Sequence, residues 1–347
     1  MSRQADCDHI QTSPEVSDAL AEGRPVVALE TAVITHGLPN TPLPTPACMV
    51  KNSPLWSHLP MPLDWDESMA TNLQLGRLMQ SAVRNAGAIP ASIGLIDGTL
   101  HIGMNDEMMQ RLAGSKNLEK ASARDLAALI ARGMSGGTTV AASVHACTQA
   151  RGGSIQTFAT GGIGGVHRDW QKRPDISADL GALANTPVAV VASGAKVILD
   201  LLATFEMLDA LGVLILGHKT QAMPRFTASA TSDIPLQHSF DNPQDIARTC
   251  RIHWSDLNAR SAVLVANPCP QGLESNIEHL DRLVDAGLAE AATLGIEGGE
   301  VTPFLLDAIG RDPEANAISA NLALLLSNAT LAAHIATVLA EEQSSLG

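Results

Sequence analysis

The chain has 347 residues, of which 45% are apolar, and its 36 acidic against 22 basic side chains give a formal net charge of -14. This length and apolar content suffice for a continuous core, so the chain should fold as a globular protein. The acidic excess repels polyanions, and four tryptophans, five phenylalanines and no tyrosine offer few stacking platforms, so a nucleic-acid partner is not expected.

Cysteine usage and the N-terminal sequence bear on location. The five cysteines are widely spread and form no CxxC pair, which indicates a reduced compartment and no zinc site. Residues 1–15 form an N-terminal tail without the apolar stretch of a secretory signal. No apolar run was found that reaches the roughly 18 residues needed to span a membrane. We therefore expect a cytoplasmic protein that does not associate with membranes.

Short apolar runs alternate with helix-like segments along the chain. The runs end in glycine or polar residues, and they are PVVALETAVI, ASIGLIDG, SIQTFATGG, TPVAVVASG, GVLILGH and SAVLVANP. Between them, SARDLAALIARG predicts a helix capped by Ser122 and ended by Gly133, and AKVILDLLATFEMLDALG predicts one that stops at Gly212. This alternation predicts an α/β fold with a mostly parallel sheet flanked by helices.

A proline-rich segment interrupts this pattern. Seven prolines lie between Pro39 and Pro62, which excludes a helix and permits a strand only at a sheet edge. We interpret residues 41–68 as a long loop or insertion. Trp56 and Trp65 favour a segment that packs on the domain, and a disordered excursion is the open alternative.

Residues that directly follow the apolar runs are the candidates for chemistry, because ligands bind outside the carboxyl ends of parallel strands. Lys196 follows a strand and a Ser-Gly-Ala turn and opens an apolar helix. Burial and the positive helix end would both disfavour its ammonium form, which makes a lysine a nucleophile toward carbonyl carbon. The alternative is a lysine whose stem packs while its ammonium reaches solvent.

Glu30 lies within the apolar stretch VVALETAVITHG, where a carboxylate is costly unless it is paired or functional. A raised pKa would suit a proton donor. The alternative is a buried glutamate satisfied by backbone amides or by His36.

Two further groups of residues suggest ligand binding. Asp175 and Asp179 flank Ser177, and with His167 they could hold a hard divalent cation, although two aspartates near a helix start are more often caps. The segment SGGTTVAASVHA resembles a glycine turn feeding a helix, whose amides could bind phosphate or whose glycines could serve only tight packing. Lys120 could add a charge to such a phosphate pocket.

The motifs together resemble a known family. ALETAVITHGLP, KASARDL, GGTTVAAS, FATGGIGGVHR, DISADL, SGAKVILD, VANP and TPFLL occur in the order found in pseudouridine-5'-phosphate glycosidases, the group that includes indigoidine synthase A-like proteins. The resemblance covers about residues 16–340, which it implies to be one domain carrying the proline-rich insertion. It implies a three-layer α/β/α fold, commonly assembled as a homotrimer.

The resemblance also implies an activity and assigns residues to it. The family cleaves the carbon–carbon bond of pseudouridine 5'-phosphate to uracil and ribose 5-phosphate, using a divalent ion, typically Mn²⁺, and a lysine imine (Schiff base) with the ring-opened ribose. Lys196 and Glu30 match the family's lysine and proton donor, and Asp175 matches its metal ligand. The positions matching substrate contacts are Lys120, the Val140 amide, Ser177, Ala178 and Asp179, with His167 expected near the hydrated metal.

Two alternatives to a glycosidase remain at this level. One is an enzyme that joins ribose 5-phosphate to a different acceptor, which the proline-rich insertion could accommodate. The other is a non-catalytic homologue that binds sugar phosphates. Lys196, Glu30 and Asp175 together argue against the non-catalytic homologue, because binding alone does not need all three.

Overall fold

The computed structural model describes residues 9–168, 170–171, 174–228, 234–296, 301–312 and 315–344. Short runs rich in valine and leucine, such as Val26–Leu29 and Val263–Ala266, form strands in which every residue is buried. Strands buried on both faces are typical of parallel sheets covered by helices. The α/β class predicted from the alternation of runs is confirmed.

The strands come first. In chain order they are β1 (Ile10–Thr12), β2 (Val26–Leu29), β3 (Ile89–Ile96), β4 (Thr99–Ile102), β5 (Glu119–Ala121), β6 (Gly136–Thr138), β7 (Thr157–Ala159), β8 (Val166–His167), β9 (Ala189–Ala192), β10 (Leu199–Asp200), β11 (Leu214–His218), β12 (Ser239–Phe240) and β13 (Val263–Ala266).

The α-helices follow the same convention. They are α1 (Pro14–Ala21), α2 (Ala32–His36), α3 (Thr71–Asn85), α4 (Asp106–Gly114), α5 (Leu126–Ala131), α6 (Val140–Cys147), α7 (Ala178–Asn185), α8 (Leu201–Ala210), α9 (Pro243–Arg251), α10 (Ile277–Leu294), α11 (Val301–Arg311) and α12 (Ala317–Ser344). Two short 3₁₀ helices cover Ala47–Met49 and Pro54–His58, and a π-helical turn covers Ile252–Asp256.

The main sheet runs in the order β1-β4-β3-β2-β7-β9-β13-β11-β12, with β6 also pairing β3 and β5 pairing β6. Its pairings are parallel except for those of β3 with β4 and with β6. Strands β8 and β10 form a separate antiparallel pair. The carboxyl ends of β2, β7, β9, β13 and β11 therefore lie side by side along one edge of the sheet.

Successive side chains of the central strands enter two different cores. Val190 packs in the core on one face, with residues of α6, α7 and α8, whereas Val191 packs in the core on the other face, with residues of α3, α9 and α12. This alternation follows from the two-residue period of a strand. Helices thus cover both faces, which is the three-layer arrangement that the resemblance implied.

Three local predictions were wrong at element starts. The helix expected after Ser122 begins at Leu126, preceded by Asp125, so Ser122 is not its cap. The helix expected to begin at Lys196 begins at Leu201, because the Asp200 carboxylate caps it by accepting from the Ala203 amide at 3.0 Å. Gly136 and Gly137 lie in β6, not in a turn.

The proline-rich segment packs on the domain. Cys48 and Leu55 are fully buried in the core that contains α12, and the Cys48 amide donates to Ser319 Oγ of that helix at 2.9 Å. The indole N–H groups of Trp56 and Trp65 donate to backbone carbonyls within the same segment. The packed alternative is the one that the structure describes.

No apolar run long enough to span a membrane was expected, but α12 is one by length and composition over Ala317–Glu342. Of an 18-residue stretch of this helix, 83% is buried within the fold. The helix packs against α3, α9 and strands β2, β7 and β9. These contacts identify it as the central helix of one outer layer.

Candidate active site

The candidate site lies at the carboxyl edge of the sheet. Glu30, Thr160 and Ser193 are the first residues after β2, β7 and β9, which are neighbours in the sheet. A cleft begins above them, and its space together with the open solvent at its mouth is about 850 Å³. Its walls include Glu30, Lys120 and Lys196. Three of the residues predicted from the sequence therefore share one cleft.

Glu30 is only 8% exposed and accepts a short hydrogen bond from the hydroxyl of Thr160. Burial raises the pKa of its carboxyl group, although the charge of Lys196 and the Thr160 hydrogen bond oppose this effect. Desolvation outweighs both because the carboxylate loses nearly all contact with water. His36, the alternative partner, instead bonds to Thr35 and to the Leu118 carbonyl.

Lys196 lies in a turn between β9 and β10, held by the glycine-rich loop. The Lys196 amide donates to the Ile163 carbonyl at 3.1 Å, and the Ile163 amide donates to the Gly194 carbonyl at 3.0 Å. Gly194 has φ +70°, and a Cβ atom there would lie 2.0 Å from the Pro224 carbonyl oxygen. Only glycine fits this turn, which fixes the backbone two residues before the lysine.

Lys120 and the amino end of α6 are brought together by strand pairing. Lys120 in β5 lies opposite Gly137 in β6, and the Thr139 amide donates to the Ala121 carbonyl at 2.9 Å. Val140 is the first residue of α6, so its backbone N–H lies at the positive end of that helix. Burial, followed by the charge of Lys196, lowers the pKa of Lys120.

The glycines of β6 serve packing at the same place. A Cβ atom on Gly137 would lie 2.1 Å from Thr35 Oγ1 and 2.8 Å from the Thr31 carbonyl oxygen. Helix α2 therefore approaches β6 at a distance that admits no side chain. This is the tight-packing alternative, and it brings Glu30, which precedes α2, close to Lys120.

The loop containing residues 161–168 is tied to the DISAD segment. Asp179 is buried, and its carboxylate accepts from the Gly164 amide at 2.8 Å and from the Ala141 amide at 2.9 Å. Ser177 caps α7, with its hydroxyl oxygen accepting from the Asp179 amide at 3.2 Å, and Ala178 begins that helix. The glycine loop, α6 and α7 thus meet at one carboxylate.

His167 and Asp175 form a separate pair. Their Nδ1 and Oδ2 atoms lie 3.9 Å apart, and the Asp175 side chain is 36% exposed. Burial lowers the pKa of His167, while the charge of Asp175 opposes the shift. Asp179 binds backbone amides instead, and no cluster of three or more potential metal ligands occurs among the described residues. One partly exposed carboxylate suits a hard divalent ion that keeps most of its water.

Two cleft residues were missed by the sequence analysis. Asn321 of α12 lines the cleft, and its Oδ1 atom is buried without a hydrogen-bond partner among the described residues. Phe226 has φ +57°, and its ring packs against Gly161 and Gly162. A polar amide within an apolar helix was the available signal for Asn321, whereas nothing in the local sequence marked Phe226.

Comparisons with known proteins cover nearly the whole chain. The family model described as indigoidine synthase A like protein matches residues 15–50 and 67–338. The chain is 40% identical over 328 residues to the pseudouridine-5'-phosphate glycosidase of Saccharopolyspora erythraea (94% of this chain, 97% of the relative) and 36% identical over 331 residues to that of Alkaliphilus metalliredigens (95% and 97%).

Two solved structures share the fold. The prealnumycin C-glycosynthase AlnA, solved in complex with ribulose 5-phosphate, superposes with a TM-score of 0.79 at 33% identity, covering 97% of this chain and 98% of the other. An indigoidine synthase A-like protein from Thermotoga maritima gives a TM-score of 0.76 at 29% identity, covering 95% and 96%.

Proposed function

The chain belongs to the indigoidine synthase A-like family, and we propose that it is a pseudouridine-5'-phosphate glycosidase. It would cleave the C–C glycosidic bond reversibly, giving uracil and ribose 5-phosphate. The observation that carries the proposal is that Glu30, Lys196 and Lys120 line one cleft. The chain matches curated relatives of this name over almost their full length.

Glu30 is suited to donate a proton. A C-glycoside has no leaving oxygen or nitrogen at the bond to be broken, so the ribose ring must open first. Because burial raises the pKa of Glu30, the carboxyl group retains its proton to higher pH than an ordinary glutamate. We assign it to protonate the ring oxygen as the C1'–O4' bond breaks, or uracil C5 as that carbon departs.

Lys196 is assigned as the nucleophile toward C1'. Its Nζ atom would bond to C1' of the opened ribose. The nitrogen lone pair then forms the C=N bond of an imine while the C1'–C5 bond breaks and C5 takes a proton. Water hydrolyses the imine to ribose 5-phosphate and free lysine. Glu30 and Lys196 line the same cleft, so donor and nucleophile can act on one substrate.

The phosphate end is assigned to Lys120 and the start of α6. A lysine charge and the free amides of a helix start are complementary to a phosphate dianion. The Asp179 carboxylate holds the adjoining loop by accepting from the Gly164 amide and holds α6 by accepting from the Ala141 amide, and the Ser177 amide donates to the Gly165 carbonyl. We expect Ser177, Ala178 and Asp179 to contact the sugar phosphate where the glycines leave the backbone open.

A divalent ion, Mn²⁺ by the family resemblance, belongs to this proposal. Asp175 would hold it, with His167 beside its water shell. When bound, the ion would supply positive charge near the substrate's oxygens. The homotrimer and the cytoplasmic location are likewise proposals that rest on the resemblance and the sequence.

The base end of the cleft is assigned to Asn321 and Phe226. Uracil presents ring N–H donors, and the buried Asn321 Oδ1 atom is an acceptor of the matching kind. The Phe226 ring offers a flat apolar wall. Asn321→Leu, which removes the acceptor at similar volume, should weaken uracil binding more than ribose 5-phosphate binding.

A second candidate function is synthesis of a different C-glycoside from ribose 5-phosphate. One observation favours it: the proline-rich segment, through Leu43, Pro44 and Pro46, walls a second hollow that shares Gly310, Ala317 and Ile318 with the main cleft. An acceptor larger than uracil could extend into it. The solved C-glycosynthase shows that this fold type accompanies such chemistry in another protein.

The deciding experiment measures uracil release from pseudouridine 5'-phosphate by chromatography, with and without added Mn²⁺. The glycosidase proposal expects uracil from the wild type and none from Lys196→Ala. Folded, Mn²⁺-loaded wild type that releases no uracil would overturn it. The reverse reaction, tested with ribose 5-phosphate and uracil against larger aromatic acceptors, separates the two candidate functions.

A further inference from the structure

Asn328 lies at the centre of a buried polar network beneath the candidate site. It belongs to α12 and is fully buried. Its Nδ2 atom donates to the Thr160 carbonyl at 2.8 Å and to Ser193 Oγ at 3.2 Å, and its Oδ1 atom accepts from Asn267 Nδ2 at 2.8 Å. One side chain therefore uses three of the four hydrogen bonds that an amide can make.

The three partners have the same position in the fold. Thr160, Ser193 and Asn267 are the first residues after β7, β9 and β13, which are adjacent strands of the sheet. Asn328 thus holds together the carboxyl ends of three strands, where their loops begin. An apolar side chain on α12 could fill this space, but it could not satisfy these groups.

Two of these three residues, Thr160 and Ser193, are directly connected to the reacting groups. The Thr160 hydroxyl donates to Glu30, so the position of Thr160 sets the hydrogen bond at the proton donor. Ser193 begins the turn that carries Lys196, and its amide donates to the Gly161 carbonyl at 2.9 Å. Movement of Asn328 would therefore alter both groups at once.

We infer that Asn328 is a positioning residue, which keeps Glu30 and Lys196 in register by holding together the ends of β7, β9 and β13. The inference rests on the proposed function, because register between these two groups matters only if both act on one substrate. Asn328 touches neither the cleft nor the reacting groups. It acts through Thr160 and Ser193.

The network continues to the proline-rich segment. Asn267 also donates to Ser327 Oγ at 3.1 Å and bonds through its Oδ1 atom to His218 Nδ1 at 2.8 Å, and Ser327 Oγ lies 3.4 Å from His58 Nδ1. His58 lies between residues 50 and 67, in the stretch that the family model does not match. The insertion therefore packs against the outer end of the same network.

The test is the substitution Asn328→Ser, which is neutral and too short to reach all three partners. Its matched control is Asn72→Ser. Asn72 is 2% exposed on α3, and its Nδ2 atom donates to two carbonyls, those of Ile34 and Ala113, both at 3.0 Å. Both changes remove a buried amide, but only Asn328 donates to Thr160, the partner of Glu30, and to Ser193, which begins the turn that carries Lys196.

Three quantities are measured for wild type and both variants: thermal unfolding, kcat and KM for uracil release across pH, and the titration of the Glu30 carboxyl group. The titration is followed by infrared spectroscopy, and the spectrum of Glu30→Gln is subtracted to identify the Glu30 signal. For Asn328→Ser we expect kcat to fall by about 30-fold with KM changed by less than about threefold. The Glu30 titration should move to higher pH, because a weakened Thr160 hydrogen bond no longer favours the carboxylate. The charges facing Glu30, on Lys196, Asp179 and Lys120, stay in place.

The control and the fallback variant make the outcomes decisive. If Asn328→Ser loses stability like Asn72→Ser while kcat and the Glu30 titration stay at wild-type values, Asn328 is structural only. If Asn328→Ser does not fold, Ser193→Ala removes one of the three bonds and must lower kcat in the same direction. An unchanged Ser193→Ala enzyme would then overturn the inference. Absence of uracil from wild type refutes the proposed function instead, and the infrared titration still reports on Asn328.

Discussion

Substituting Gly164 by alanine should disrupt the site through steric contact alone. Gly164 does not adopt the left-handed backbone conformation, so alanine is permitted by its backbone. The added Cβ atom would, however, lie 2.4 Å from Ser177 Oγ and 2.8 Å from Asp179 Oδ2, where approaches under 3.0 Å are essentially never seen. Ser177 or the loop must therefore move by about 0.6 Å or more.

That displacement acts on the hydrogen bonds that hold the site. The Gly164 amide donates to Asp179 at 2.8 Å, and Ser177 caps α7. Overpacking of this kind costs about 1–3 kcal/mol of unfolding free energy. Because displacements near 1 Å can cost about 100-fold in rate, we expect kcat/KM for uracil release to fall by between about 10- and 100-fold. Thermal unfolding and steady-state assays on the same preparation measure both effects.

Gly181→Ala is the matched control. Gly181 lies in α7 of the same segment, and a Cβ atom there would meet nothing within 4 Å. Alanine should stabilise the helix by about 0.5–1 kcal/mol and leave kcat/KM unchanged. Wild-type activity and stability in Gly164→Ala would refute the steric reasoning. Equal losses in both variants would show that the segment tolerates no change at all, whatever the contact distances.

Three further substitutions test the assigned roles. Wild type treated with ribose 5-phosphate and borohydride should gain the mass of the reduced sugar adduct, whereas Lys196→Ala should gain none and lose uracil release; an adduct of equal yield in Lys196→Ala would exclude the lysine imine. Glu30→Gln should lower kcat by about 10²- to 10⁴-fold, and wild-type activity should decline as pH rises through the raised pKa of Glu30. Because the folded-state pKa of Glu30 is raised, the wild type is most stable below the ordinary glutamate pKa and loses stability as pH rises through the folded-state pKa. In chemical denaturation, the stability of Glu30→Gln relative to wild type should therefore be greater at pH 8 than at pH 4. An equal difference at both pH values would contradict the raised pKa. Asp175→Asn should weaken Mn²⁺ binding by about 10- to 100-fold in a titration followed by electron paramagnetic resonance, and unchanged affinity would move the ion elsewhere.

The central sheet was predictable because its strands are short, apolar on both faces and ended by glycine or polar residues. The same regularity located the chemistry: Glu30 and the glycine-rich loop follow strands directly, and Lys196 follows one after a short turn. Because ligands bind outside the carboxyl ends of parallel strands, the residues after the strands were the candidates, and these included Glu30 and Lys196. Lys120 was placed by its motif, and its position on β5 came only from the structure.

Element starts could not be predicted where distant contacts determine them. AKVILDLL has good helical periodicity from Lys196, but the hydrogen bond from the Lys196 amide to the Ile163 carbonyl holds that lysine in a turn. Only the Asp200 cap lets the helix begin at Leu201. The proline-rich segment is a similar case, since its anchoring partner Ser319 lies 271 residues after Cys48. Local sequence carries no information about such partners.

The cleft contains a costly backbone conformation as well as a buried carboxyl group. Seven described non-glycine residues have positive φ, and five of them are asparagine or aspartate, which tolerate it; the others are Lys219 and Phe226. A bulky residue in this region costs about 1–3 kcal/mol and persists only where its surroundings enforce it. Phe226 is such a case: it lines the cleft, and its amide is held by the Ser193 carbonyl at 2.8 Å.

The same reasoning applies to Glu30. A stable three-layer fold has no need of a buried carboxyl group at the end of β2, because an apolar side chain would pack there without desolvating a polar group. Asn328 is different, since the polar groups that it binds would lose their partner if an apolar side chain replaced it. Glu30 lies in the cleft, and Asn328 lies two hydrogen bonds behind it, through Thr160. The buried carboxyl group lowers the stability of this edge of the sheet, although the strands a few residues away are purely apolar. Selection for stability alone would remove such a group, so its presence is typical of selection for a reaction.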